Sequence, residues 1–190
     1  MPSSRPRIVI DKLGICNACT NSEDKFEKID WDKRREEFLE LVEPYKSKNE
    51  YWDCVVPWSG GKDSSTVAYK LKFEHGLNPL LVTFSPQVLN ELGNHNREQM
   101  IELGFDHLFF RPNQKVHRYL SRRFFIERGN QKVPWDAGVN SIPLHVAVKY
   151  NIPVVFYAEH GESEYGGLVI NEESKKKRDL REVIEHQIGD

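Results

Sequence analysis

Six consecutive residues carry the most chemistry in this chain. Ser59, Gly60, Gly61, Lys62, Asp63 and Ser64 combine two adjacent glycines, two hydroxyls, an ammonium and a carboxylate, and Ser65 and Thr66 follow. Neighbouring glycines let the backbone take positive φ and bring its N–H groups close to a ligand with no Cβ in the way. Asp63, Ser64, Ser65 and Thr66 are residue types that open helices, and Val67, Ala68 and Leu71 continue at helical spacing. A glycine loop that opens a helix offers unpaired N–H groups and the positive end of a dipole, which favours phosphate. The spacing excludes two common phosphate loops. Lys62 is followed by Asp63 rather than Ser or Thr, and no glycine stands five residues before Gly61, so the G-x-x-x-x-G-K-[ST] pattern is absent. The G-x-G-x-x-G dinucleotide pattern is absent too.

Two further groups carry donor atoms. Cys16 and Cys19 form a C-x-x-C in a knuckle-like stretch. Two thiolates can share one zinc ion, but a structural zinc needs four ligands. Cys54 lies in an apolar run and is not counted among them. A redox pair of this spacing would sit at a helix start, and residues 1–30 read as irregular apart from a short strand at Ile8 to Ile10. The second group is Glu159, His160, Glu162 and Glu164, beside Tyr165, Gly166 and Gly167. Its place after an apolar run makes it a candidate for magnesium and substrate contacts.

These residues need positioning elements. Cys54, Val55 and Val56 form the β-branched run of a buried parallel strand leading into the glycines. Leu80 to Phe84, Asp106 to Phe110 and Ile152 to Tyr157 read as further strands. Helices are expected over 31–48, 64–75, 90–103, 114–128 and 172–186. Another is expected between Asp136 and Tyr150, started or interrupted near Pro143. Strands alternating with helices imply an α/β fold: a parallel sheet between two layers of helices. Ligands of such sheets bind beyond the C-terminal strand ends. Those ends are Pro57-Trp58-Ser59, Phe84-Ser85-Pro86 and Ala158-Glu159-His160-Gly161-Glu162.

Composition narrows the classes. The chain has 190 residues, enough for one domain with a real core, or for a domain plus a small appendage. Lys and Arg number 27 against 29 Asp and Glu, a net charge of −2 that argues against a dominant nucleic-acid footprint. No run approaches the roughly 20 apolar residues of a membrane span. Arg5 and Arg7 are not followed by the apolar region of a signal peptide. Three cysteines suit a reducing cytoplasm, the expected location.

The stretch Ser59 to Ser64 resembles the S-G-G-x-D-S signature of the PP-loop ATP pyrophosphatases, which cleave ATP between the α and β phosphates. The likeness extends in order through Gly14 to Cys19, Ile29 to Trp31, Asp53 to Pro57, Asn78 to Thr83, Val146 to Pro153 and Glu164 to Gly167. Over nearly the whole chain it is similar to the N-acetyl sugar amidotransferases of surface-polysaccharide and flagellin-glycan pathways. They convert a sugar's acetamido group to an acetamidino group. Two features depart from that family. Its members carry an earlier C-x-x-C followed by Val-Met-Pro, whereas this chain begins Met1-Pro2, and they continue well beyond the equivalent of Asp190. The expectation is therefore a fragment. The usual G-E-N at the fourth strand exit is here Ala158-Glu159-His160.

The resemblance implies a domain plan: residues 1–48 as a C-x-x-C segment and helix, 49–190 as a C-terminally incomplete PP-loop ATP-binding domain. It implies ATP and magnesium as cofactors, with zinc on Cys16 and Cys19 if further ligands exist. AMP transfer to the amide oxygen would turn that oxygen into a leaving group, and ammonia would then attack carbon. The Gly60 and Gly61 N–H groups and the Ser59 and Ser64 hydroxyls would hold the β,γ pyrophosphate, with Ser65 also in the nucleotide site. Lys62 would neutralise the α-phosphate, and Asp63 or Glu159 would position magnesium. Thr83, Phe84 and Ser85 would meet the adenosine, and Glu162, Glu164, Tyr165 and Gly166 the sugar. No cysteine–histidine–glutamate glutaminase set is visible, so a separate glutaminase partner would supply ammonia.

Two rivals remain open. One is a PP-loop enzyme that modifies transfer RNA, supported by His117-Arg118-Tyr119, Arg122 to Phe125 and Lys175 to Arg178. The bland reading of these residues is a solvated basic helix face, and a nucleic-acid partner is not the main expectation. The other rival is an inactive nucleotide-binding remnant.

Overall fold

The computed structural model describes residues 8–46 and 51–159. They fall into two compact units, one holding residues 8–41 and Glu159, the other Val42–Ala158.

In the first unit, α1 (Asn17–Glu27) follows a tight loop, and α2 (Trp31–Val42) begins four residues later and ends at the first residue of the second unit. Helix α1 is absent from the sequence expectation, which reads residues 1–30 as irregular. The reason is local: Cys16 occupies the N-cap with no side-chain cap bond, and α1 buries no residue, so neither a cap nor an apolar stripe marks it. The loop before it is tied by Asp11, whose Oδ1 accepts from the N–H groups of Leu13 and Ile15 at 2.8 and 2.9 Å. Ile10 makes a single antiparallel bridge to Cys16 in place of the expected strand. Along α2 the expected apolar stripe is exposed at Trp31 (59 %) and Leu41 (62 %), and only Val42 is buried.

The second unit is a parallel sheet. Strands β1 (Cys54–Pro57), β2 (Pro79–Phe84), β3 (Asp106–Phe110) and β4 (Val154–Val155) stand in the order β3-β2-β1-β4. Val55 pairs with Leu80 and Val155, and Leu80 with Asp106. Side chains alternate between faces. One face presents Val55, Leu80 and Val82, which pack with Val146, Ala147 and Ile152. The first two of those belong to α6 (Val133–Lys149), which forms a hairpin with α5 (Gln114–Arg128). The other face presents Val56, Leu81 and Thr83. There α3 (Lys62–Tyr69) follows β1, and α4 (Glu91–Glu102) sets the Arg97 guanidinium over the Phe109 ring. The expected α/β fold of a sheet between helix layers is the observed one.

Three boundaries differ from expectation. Helix α3 gives way after Tyr69 to a wider π turn over Lys70–Glu74. Helix α6 begins at Val133, with Pro134 in its first turn, and runs unbroken through the buried Pro143. Proline is preorganised for a first turn, so Pro134 is the start signal that a focus on Pro143 passes over. Strand β4 has two residues instead of the expected six. Pro153 has no N–H to give a ladder, and the pairing ends with Phe156 N–H on the Val55 carbonyl at 2.9 Å.

Helix α6 can lie against β2 because of one glycine. A Cβ on Gly138 would stand 2.4 Å from the Phe84 ring. The ring itself is fixed by stacking on Phe110 at 5.8 Å and by the edge of His117 at 5.7 Å. Gly138→Ala should therefore force the helix off the sheet and destabilise the fold by about 1–3 kcal/mol, the usual cost of overpacking. Urea unfolding measures it. An unchanged midpoint would show that the helix–sheet contact yields freely.

Candidate functional site

Strand β1 ends where Pro57 and Trp58 turn the chain into the glycine loop. The Trp58 N–H still bonds the Val82 carbonyl at 2.9 Å, so the loop leaves the sheet from a fixed point. The Trp58 carbonyl accepts from the Thr83 hydroxyl at 2.5 Å, and that hydroxyl also meets His107 Nε2 at 2.9 Å. A carbonyl can only accept, so the threonine proton is committed to Trp58. His107 must then donate, which places its proton on Nε2. Burial, reinforced by the Arg97 charge, lowers the His107 pKa from 6.5 to about 4, so the ring is neutral in ordinary buffers. The Trp58 indole stands edge-on to His107 at 5.2 Å and donates from Nε1 to Ser65 Oγ at 2.9 Å. One tryptophan thus joins the sheet edge to the first turn of α3.

The loop is a shallow cradle. Gly60 has φ +82°, a conformation that suits glycine. Gly61 caps α3 without any side-chain bond. The Gly61 N–H donates to Ser59 Oγ at 3.3 Å, the Ser59 N–H to Ser64 Oγ at 3.3 Å, and the two hydroxyls stand 3.4 Å apart. Good bonds of these types are about 2.7–3.0 Å long. The donors are therefore held near one another but weakly satisfied, a state that an anion's oxygens would improve. The α3 N-terminus adds its dipole. Lys62 is 87 % exposed and lies 3.0 Å from Asp63 Oδ1. An exposed pair of this kind contributes little to stability, so both side chains can turn to a ligand at small cost. From α4, Asn96 Nδ2 donates to the Gly60 carbonyl at 2.8 Å.

The expected site residues are thus distributed as follows. Ser59, Gly60, Gly61, Ser64 and Ser65 converge on one loop, with Lys62 and Asp63 at its rim. Thr83 is buried beneath it, its hydroxyl engaged by Trp58 and His107. Phe84 projects to the opposite sheet face, against Gly138. Ser85 is fully buried, and its Oγ donates to the Pro86 carbonyl at 2.9 Å. Glu159 is exposed and belongs to the first unit. Glu162, Glu164, Tyr165, Gly166 and the expected helix at 172–186 lie outside the described residues. The structure adds Trp58, Asn96 and His107 to the site; the sequence names Trp58 only as part of a strand end. Trp58 could have been found from its place directly before Ser59, but nothing in the sequence marks Asn96 or His107.

Cys16 and Cys19 correct one expectation. The pair does sit at a helix start, Cys16 as the N-cap of α1 and Cys19 in its first turn. Their sulfurs are 3.5 Å apart. Backbone N–H donation from Cys19, helped by the Cys19 thiol, lowers the Cys16 pKa, while the bond to Cys16 raises that of Cys19. Two sulfurs at about 2.3 Å from a tetrahedral zinc would be about 3.8 Å apart, so the pair fits two corners of such a site. Among the described residues no cluster of three or more His, Cys, Asp or Glu completes one. Cys54 is sealed in β1, and burial pushes its thiol up to about 12.

No family model and no curated protein matches the chain. Among solved structures it is similar to a predicted subunit of tRNA methyltransferase from Methanocaldococcus jannaschii, at 24 % identity and a TM-score of 0.43. The match covers 68 % of this chain and 59 % of that one. At that level the likeness concerns the course of the backbone alone.

The buried imidazole makes a pH prediction. The folded pKa of His107 lies below that of a free histidine, so between pH 6.5 and about 4 the unfolded chain takes up a proton that the folded chain refuses. Its contribution to stability is present above pH 6.5 and lost as pH falls toward 4. Urea midpoints of wild type and His107→Asn at pH 7.0, 5.5 and 4.5 should converge as pH falls. Parallel midpoints across that range would contradict the assignment.

Proposed function

We propose that this chain is a PP-loop ATP-binding domain that activates an acceptor oxygen by AMP transfer with release of pyrophosphate. The observation that supports it is the Ser59–Ser64 cradle: weakly satisfied hydroxyl and N–H donors at a helix N-terminus, anchored to the end of a parallel strand. In this reading the Gly61 N–H and the Ser59 and Ser64 hydroxyls take the β- and γ-phosphate oxygens. These donors exchange their 3.3–3.4 Å contacts with one another for the phosphate oxygens, and the new bonds strengthen as charge builds on the departing pyrophosphate. The Lys62 ammonium leaves Asp63 and follows the α-phosphate. The freed Asp63 carboxylate is the chain's own ligand for magnesium, which would neutralise the phosphates. Thr83 holds the loop through Trp58 rather than touching adenosine.

The acceptor is the acetamido group of a carrier-linked or nucleotide-linked sugar, on the strength of the ordered sequence resemblance, with ammonia supplied by a glutaminase partner. The second reading, a transfer-RNA base, has its own support in α5. There Lys115, Arg118 and Arg122 are exposed at i, i+3 and i+7, without an ion pair among the described residues. Tyr119 and Phe125 are exposed as well, at 62 % and 58 %. Cations interleaved with aromatics suit a single-stranded nucleic acid. The zinc reading assigns Cys16 and Cys19 two of four ligands, with the others from residues outside those described or from a second molecule.

The purified chain should convert ATP to AMP and pyrophosphate when the correct acceptor is present. Acetamido sugars with ammonium and unmodified transfer RNA are the two acceptors to supply, each with wild type and Lys62→Ala. Lys62→Ala should lower turnover at least tenfold, the usual scale for a transition-state charge contact. ADP as the nucleotide product would rule out α–β cleavage, and AMP formed only with RNA would decide for the second reading.

A further inference from the structure

The glycines that make the cradle accessible also make it ambiguous. Neither Gly60 nor Gly61 carries a side chain to hold the peptide that joins them. An added Cβ at Gly60 would meet nothing nearer than the Trp58 ring at 3.8 Å, so the loop is not packed rigid by its surroundings. A peptide between two glycines can turn over by about 180°, because both residues tolerate either sign of φ. The two orientations are opposite in function. In one the Gly61 N–H faces the concave side where the Ser59 and Ser64 hydroxyls lie. In the other the Gly60 carbonyl faces it, and an oxygen lone pair would repel a phosphate.

We infer that Asn96 is a positioning residue that fixes this choice, and the inference rests on reading residues 59–64 as the phosphate site. Asn96 stands in the middle of α4, half-buried, and its Nδ2 reaches the Gly60 carbonyl at 2.8 Å. Only the amide nitrogen can face a carbonyl oxygen at that distance, since the amide oxygen would repel it. In a trans peptide the C=O and the following N–H point in opposite directions. Holding the Gly60 carbonyl toward α4 therefore turns the Gly61 N–H away from α4, onto Ser59 Oγ at 3.3 Å. The Asn96 bond is the shorter of the two, so it is the anchor, and the weaker Ser59 contact is the one a ligand replaces. Asn96 need not touch the ligand. It acts through one peptide plane, from an element 36 residues away in sequence. Helix α4 can bear that role because Arg97, the next residue, packs over Phe109 of β3.

The test is made on the whole chain with Asn96→Ala and Asn96→Ser, neither of which can reach Gly60, and with Asn94→Ala on the same helix as control. Nitrogen-15 relaxation dispersion at the Gly60 and Gly61 amides reads the peptide directly, and calorimetry with magnesium pyrophosphate and with AMP reads its consequence. Wild type and Asn94→Ala should be free of exchange at Gly61, and both Asn96 variants should show it. Pyrophosphate affinity should fall about five- to tenfold in the variants, the equivalent of one lost hydrogen bond, with AMP affinity and the melting temperature unchanged. Exchange in the wild type, or none in the variants, would overturn the inference. So would equal losses for pyrophosphate and AMP, which would make Asn96 a general packing residue. If the variants exchange but wild type binds no pyrophosphate, the lock stands and the phosphate reading falls. If wild type binds pyrophosphate and the variants bind it equally well, the reading stands and the lock falls.

Discussion

The hydroxyl of Thr83 bonds the carbonyl of Trp58, and the shape of the site depends on that contact. Strand β1 ends with a tryptophan whose N–H is still in the sheet and whose carbonyl is not. A buried carbonyl without a partner costs about 1–3 kcal/mol, and Thr83, facing the same side of the neighbouring strand, removes that cost. His107 on the third strand then donates to the Thr83 hydroxyl oxygen. Three adjacent parallel strands thus contribute to one polar junction beneath the glycine loop. The loop's starting point is consequently as rigid as the sheet. Asn96 restrains its crown from the helix above, and the Trp58 indole restrains the first turn of α3 through Ser65.

This division between a rigid base and a loosely satisfied crown suits a site for a multiply charged anion. Bonds of 3.3–3.4 Å among Ser59, Gly61 and Ser64 keep donors close together without committing them strongly. Preorganisation of that kind costs little when the ligand arrives and favours charge that develops during reaction. The apolar side of the sheet is different in character. Val55, Leu80 and Val82 meet Val146, Ala147 and Ile152 there, and the Phe84 ring closes on Gly138. Beside it His117 is buried, neither ring nitrogen has a partner among the described residues, burial lowers its pKa, and its ring packs against Phe84.

Much of this was legible in the residues. The central strand, its glycine loop and the helix after it follow from a β-branched run, two glycines and a set of capping residues. The strands at Leu80 and Asp106 and the helices ended by Gly104 and Gly129 follow from the same reasoning. What was not legible depends on tertiary contact. Asn96 looks like any polar helix residue until its amide is found against Gly60. His107 looks like a half-exposed strand residue until register places it beside Thr83. Phe84 and Ser85 sit at a strand end, where ligands of parallel sheets gather, yet one faces the helix hairpin and the other is sealed. Helix α1 is not legible in the sequence because it has neither a capping side chain nor an apolar stripe, so Cys16 and Cys19 read as loop thiols.

The central claim is that residues 59–64 hold the terminal phosphates of ATP and leave the α-phosphate open to an acceptor. A crystal structure of the chain with magnesium and α,β-methylene ATP, which cannot be cleaved between those phosphates, tests it most directly. The account predicts the β- and γ-phosphate oxygens within about 3 Å of the Gly61 N–H and the Ser59 and Ser64 hydroxyls, with Lys62 turned to the α-phosphate and Thr83 still on Trp58. A nucleotide with its base on the glycine loop, or with its phosphates bound elsewhere on the sheet edge, would contradict it.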